Sequence, residues 1–119
     1  MVTNDGAAAG RMAALSDPTR LQIVQVLSKG PTSVGDIARR VPVSRPAVSQ
    51  HLRILEDAGL VTHRPAGTRH MYRLDPRGIA AMRAYLDSLW QRALTQFKAE
   101  AERSSPARKE KHREHHRKR

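Results

Sequence analysis

The residues able to do chemistry in this chain are its histidines and one polar helical stripe. Six histidines invite a metal reading. His112, His115 and His116 would cluster at i, i+3, i+4 if their segment were helical, but five basic residues from Lys111 onward would repel a cation. His51 falls at the edge of an apolar face, where a half-buried, hydrogen-bonded role is expected. His63 and His70 are spaced to sit on opposite arms of a hairpin. The absence of cysteine excludes disulfides, thiolate metal sites and thiol redox chemistry. Catalysis is not expected either. There is no glycine-rich phosphate loop and no pair of carboxylates about a pocket. Ser49-Gln50-His51 cannot form a catalytic pair, because consecutive helical residues diverge by about 100°. We therefore expect no enzyme, no cofactor and no metal.

A different chemistry is written in "SRPAVSQHLRILEDAGLV", residues 44–61. On a wheel of about 100° per residue, Val48, Leu52 and Leu55 fall within about 60° of one another. Arg45, Ser49 and Arg53 form a separate stripe with Gln50 beside it. The bases stand in the first turns and the acids Glu56 and Asp57 in the last, against the preference of the helix dipole. That order suits a helix whose N-terminal half enters the major groove of double-stranded DNA, where its free N–H groups meet phosphate. Arg, Gln and Ser are suited to base edges, at about 1–3 kcal/mol of discrimination for a good pair. The competing reading is a solvated polar face.

The rest of the chain must position that helix. Its 119 residues allow one domain with a modest core. Only Phe97, Trp90, Tyr72 and Tyr85 are aromatic, so the core must be Leu, Val, Ile, Met and Ala, which suits packed helices. Residues 1–10 read as a flexible N-terminus leading into a short alanine-rich helix near Ala7 to Leu15. Asp17 is placed as N-cap and Pro18 as first residue of the next helix, with Leu21, Val24 and Leu27 as its apolar positions and Gly30-Pro31 as its stop. Ser33 and Asp36 begin a third helix, buried through Val34, Ile37, Ala38 and Val41. "VPV" is a tight turn, Ser44 caps the polar-faced helix, and Gly59 ends it. Residues 60–74 alternate about a Pro-Ala-Gly tip as a two-stranded hairpin, with Arg64 and Arg69 on either side of the tip to reach DNA backbone or minor groove. A long helix from Asp75-Pro76 to about Glu102 follows.

On that last helix Ile79, Met82, Leu86, Leu89, Ala93 and Phe97 step by three or four. Trp90 and Phe97 extend beyond what a small helix-turn-helix core can cover, so a homodimer is expected. Leu15, Met82, Leu86, Leu89, Trp90, Ala93 and Phe97 are its interface candidates. The fold class is thus mainly α with a small β-hairpin, a winged helix-turn-helix dimeric through its terminal helices, over residues 11–102. Residues 103–119 form a basic tail, expected to be disordered and to add non-specific DNA affinity. They hold eight Lys/Arg against two Glu. The remainder still carries 14 against nine, so the basic excess of the whole chain, +11, does not depend on the tail. Such a balance favours a polyanionic partner. No apolar run approaches the roughly 20 residues of a membrane span, and no signal peptide is evident, so a cytoplasmic protein without membrane contact is expected.

The segments "LSDPTRLQIVQVL", "SVGDIARRVPVSRPAVSQHLRILEDAGLV" and the hairpin end "YRL" resemble the ArsR-type family of bacterial winged-helix repressors, over roughly residues 11–100. The resemblance implies a homodimer joined through its first and last helices, and base-reading positions at Ser44, Arg45, Ser49 and Gln50. It also implies an effector that releases DNA. Where many members carry a Cys-x-Cys metal pair, this chain has Ser33 and Gly35, and residues 76–102 contain no His for the family's other metal site. It therefore looks like the metal-independent branch. A winged helix serving only protein interaction is the alternative, as is a metal response through non-family histidines.

Overall fold

The computed structural model describes residues 2–104. The chain divides after Ala84 into two units, so that one long helix begins in the first and continues in the second. The order of elements is α1 (Val2–Ala14), α2 (Pro18–Leu27), β1 (Thr32–Ser33), α3 (Val34–Arg40), α4 (Arg45–Asp57), β2 (Val61–Ala66), β3 (Arg69–Leu74) and α5 (Pro76–Ser104). This is the expected mainly helical winged helix-turn-helix, with three differences from the sequence reading.

First, residues 2–10 are helical and not a frayed lead. α1 starts at Val2 and ends at Ala14, earlier at both ends than the Ala7–Leu15 segment. Small residues let α1 lie close against its neighbours, and Ala8 and Ala14 are buried. Second, the buried face of α2 runs through Ile23 and Leu27, with Val24 packed beside them, whereas Leu21 is 42% exposed. Leu21 and Ile23 lie about 200° apart on the wheel, and the core takes Ile23. Third, the hairpin is two strands of a three-stranded antiparallel sheet in the order β1-β3-β2. Thr32 pairs with Tyr72 and Ser33 with Met71.

The helix boundaries follow from local chemistry. The Asp17 carboxylate accepts the Thr19 and Arg20 N–H groups at 2.8 and 3.1 Å, and Pro18 has no N–H to leave unpaired. Those backbone donors, first that of Arg20, hold the Asp17 carboxyl below the usual carboxylate range. Ser33 caps α3 by accepting the Asp36 N–H. At the end of α4 the Leu60 N–H reaches the Leu55 carbonyl at 3.0 Å and the Gly59 N–H reaches that of Glu56 at 2.9 Å. Gly59 stands at φ 79°, so the pair of bonds makes a Schellman ending that turns the chain into β2.

The core of the first unit lies under α4. Ile23, Ile37, Val48, Leu52, Leu55 and Leu60 are fully buried, each contributing about 1.5–3 kcal/mol over an exposed position. The first turn of α5 closes this core from below. Asp75 accepts the Arg77 N–H and Pro76 opens the helix. Gly78 lies against Gly59 so closely that an added Cβ would collide with the Gly59 carbonyl oxygen. Met82, proposed from sequence for the dimer face, is 8% exposed and belongs to this core.

The second unit, as far as it is described, is the continuation of α5 to Ser104. Leu86, Leu89, Trp90, Leu94 and Phe97 on it are 41%, 44%, 66%, 47% and 74% exposed, and Ala93 is exposed as well. The tail from residue 105 onward, with His112, His115 and His116, lies outside the described residues.

Candidate nucleic-acid interface

The polar half of α4 is held from behind. Val48, Leu52 and Leu55 are buried, which turns Arg45, Ser49, Gln50 and Arg53 outward, all exposed. Ser44 has an extended backbone and its hydroxyl accepts the Ala47 N–H at 3.3 Å. Its oxygen therefore serves as the N-cap, which fixes the direction in which the first turn points.

Arg45, the first helical residue, folds back onto α3. A Cβ built on Gly35 would stand 3.4 Å from Arg45 Nη2 and 3.5 Å from its Cζ. The guanidinium thus lies beside Gly35, at ordinary contact distance from where a Cβ would stand. Arg45 and Ser49 form one wall of a cleft of about 420 Å³, whose other walls come from the start of α3 and from Thr68, Arg69, His70 and Tyr72 at the wing. Asp36, at the same cleft, is matched by Arg39 at 2.8 Å. Arg45 and Arg69 have no carboxylate partner among the described residues, so the cleft carries unneutralised positive charge.

The wing is tight. Ala66 pairs with Arg69 across a two-residue turn, Gly67-Thr68, in which Gly67 at φ 66° supplies the positive φ of the first position. The tip is therefore Gly67-Thr68, one residue beyond the Pro-Ala-Gly of the sequence reading. Arg64 stands opposite Met71, on the other face of the wing from His63 and Tyr72. Of the seven proposed DNA contacts, the structure gathers Arg45, Ser49 and Arg69 at one cleft. Gln50 and Arg53 lie exposed along α4, and by the strand register Arg64 shares with Arg69 the wing face opposite His63 and Tyr72.

Near the end of α4, Glu56 is tied to the wing. Glu56 Oε2 meets His63 Nδ1 at 2.7 Å, and the His63 ring packs at 5.0 Å from Tyr72 and 5.3 Å from His70. Burial, and after it the Glu56 carboxylate, push the Tyr72 phenol up from its usual range. His63 sits directly across from Tyr72 and diagonal to His70. His51 is half-buried, with Nδ1 3.5 Å from Arg20 Nη1, and Arg20 Nε donates to the Ala14 carbonyl at 2.6 Å. Leu15, the remaining interface candidate, is half-buried against the core. Among the described residues no three His, Asp or Glu side chains form a metal-sized group, and no helix is long and apolar enough to cross a membrane.

The sequence reading missed Gly35, Thr68, His70, Tyr72 and the Asp36–Arg39 pair as parts of the cleft. Gly35 carried the one available signal. A glycine inside a helix costs about 1 kcal/mol relative to Ala, which calls for a packing reason.

A capped, core-anchored helix presenting a polar, cationic face beside a basic hairpin defines a winged helix-turn-helix regulator. Comparison with known proteins narrows the class. Residues 17–63 match the family model described as "Bacterial regulatory protein, arsR family". The HTH-type transcriptional regulator Rv2034 of Mycobacterium tuberculosis is 60% identical over 84 residues, 71% of this chain and 78% of that protein. An ArsR-like transcriptional regulator from Rhodococcus superposes with a TM-score of 0.68 at 33% identity, covering 81% of this chain and 93% of that one. The homodimeric winged helix-turn-helix DNA-binding domain of Mb0332 from Mycobacterium bovis does so at 0.61 and 30% identity, covering 76% and 84%. The chain belongs to the ArsR family of bacterial transcriptional regulators and is not an enzyme.

Proposed function

We propose that this chain is a homodimeric, cytoplasmic repressor of transcription that places the polar face of α4 in the major groove of an inverted-repeat operator. The observation that carries the reading is the division of α4 between Val48, Leu52 and Leu55, fully buried, and Ser49, Gln50 and Arg53, exposed beside a cationic cleft. A polar, unanchored surface of this kind suits base edges better than a protein partner, whose interface centre favours aromatic or aliphatic anchors.

Dimerisation is supported by Leu86, Leu89, Trp90, Ala93 and Phe97, exposed along one helix, and by the homodimeric M. bovis domain. Two copies would set their recognition helices about one DNA turn apart. Regulation independent of metal is supported by what stands at the family's Cys-x-Cys positions. Ser33 is spent as the cap of α3, and Gly35 lies under Arg45.

The test is selection of bound fragments from genomic DNA, repeated with added metals and with a chelator. An enriched palindromic site, unchanged by either addition, is expected. Absence of any enriched site would favour a protein-interaction module.

A further inference from the structure

The apolar stripe of α4 fixes how deeply that helix sits, and much less how it is turned. Contacts made by Val48, Leu52 and Leu55 are non-directional, whereas hydrogen bonds to base edges are directional. With side-chain tips about 6 Å from the axis, a turn of α4 by about 10° carries each tip about 1 Å. A helix that reads sequence therefore needs a polar tie to the rest of its domain. Among the described residues, two α4 side chains hydrogen-bond to another element. Glu56 reaches the wing through His63, and His51 reaches α2 through Arg20.

Arg20 joins three helices, its own, α1 and α4, and its side chain is only 16% exposed. Its Nε donates at 2.6 Å to the carbonyl of Ala14, the last residue of α1. That contact occupies an acceptor which the helix end leaves over. Nη1 lies 3.9 Å from the carboxylate of Asp17, the N-cap of α2, and 3.5 Å from Nδ1 of His51. A guanidinium donates and never accepts. The contact therefore requires a lone pair on His51 Nδ1, with the ring neutral and its proton on Nε2. On the helical wheel, half-buried His51 falls between the buried stripe and exposed Gln50. A pull on it is thus felt directly by the outward face.

Resting on the DNA-binding reading above, we propose that Arg20 is a positioning residue for sequence recognition, acting through His51 and not on DNA itself. By holding His51 it sets the rotation of α4 against the frame of α1 and α2. That rotation decides where Ser49 and Gln50 meet the bases.

The test compares affinity for the site that the full chain selects from genomic fragments with affinity for unrelated duplex. His51→Leu removes the acceptor and keeps much of the bulk. It should lower the ratio of the two affinities roughly tenfold, the scale of one hydrogen bond to a charged group, and leave unrelated duplex bound as before. His51→Asn places an amide oxygen where Nδ1 stands and should restore the wild-type ratio. Arg20→Met combined with His51→Leu should lower the ratio no further than Arg20→Met alone. Urea titration of each variant reports stability separately. In nitrogen NMR the wild-type His51 ring should carry its proton on Nε2, its signal being identified by its absence from His51→Asn.

A role in stability alone would lower both affinities by one factor, and that result for His51→Leu would overturn the proposal. An unchanged ratio in His51→Leu, no recovery in His51→Asn, additive losses in the double variant or a proton on Nδ1 would each do the same while DNA binding stands. If wild type prefers no site, the DNA-binding reading itself fails.

Discussion

Helix α4 and the part of α5 beyond Ala84 carry nearly the same apolar spacing and meet opposite fates. In α4 the stripe Val48, Leu52 and Leu55 is fully buried, and what faces outward is polar apart from Pro46 and Ile54, the latter 42% exposed. Along α5 from Leu86 to Phe97 the large apolar side chains are themselves exposed, Trp90 and Phe97 by 66% and 74%. An identical periodicity therefore does not say whether a stripe is satisfied within one chain or waits for a second. The polar partners decide it. Arg45, Ser49 and Gln50 need something to face, while the long apolar groups of α5 need something to cover them.

This contrast is open to direct attack. Leu52→Ala should lower the unfolding free energy by about 2–5 kcal/mol in urea titrations, because the cavity opens in the middle of the core. Leu94→Ala at an exposed site should change the stability of the folded monomer by no more than about 0.5 kcal/mol. Equal losses at both positions would erase the distinction. Gly78→Ala should cost about 1–3 kcal/mol, since its methyl meets the backbone of Gly59 and not a side chain that moves aside.

Trp90→Ala combined with Phe97→Ala should shift the protein from dimer to monomer in sedimentation velocity while far-UV circular dichroism keeps its helical signal. A dimer that survives the pair would remove α5 from the interface. Gln50→Ala should relax the selected consensus at one base pair by about 1–3 kcal/mol, leaving overall fold and dimer intact.

The smallest effect concerns the cap of α2. The Asp17 carboxyl is held below its ordinary range by the Arg20 and Thr19 N–H groups, so the cap's contribution is complete above the ordinary carboxylate range and disappears as pH falls through the lowered value. Asp17→Asn keeps a capping oxygen without a titrating group. Its thermal midpoint should therefore fall less between pH 5 and pH 3 than that of the wild type.

Much of this was legible in the sequence because it is local. Caps at Asp17, Ser33 and Ser44, the glycine stop at Gly59 and the alternation of residues 60–74 are written within a few residues of where they act. The buried face of α4 follows from its period alone. What escaped was non-local. The pairing of Thr32 and Ser33 with Tyr72 and Met71 joins segments about 40 residues apart, and no spacing within "PTSV" announces it. The period of α2 allowed either Leu21 or Ile23 inward, and only the position of its neighbours settled the choice. Met82 shares its spacing with the exposed stripe, yet it falls early enough in α5 to meet the core. Arg45 could be placed on the outward face of its helix from the period, but its approach to Gly35 joins two different helices and no local spacing announces it.

One short strand changes the mechanics of the whole headpiece. Ser33 is at once the backbone partner of Met71 in the sheet and the side-chain cap of α3. The wing is therefore not an antenna free to bend at its root. A lateral push on β3 is transmitted through two residues into the base of the helix-turn-helix, much as a strut carries load between two beams. Bending the wing at its root has to disturb the pairing of β3 with β1, and so reaches the residue that starts α3.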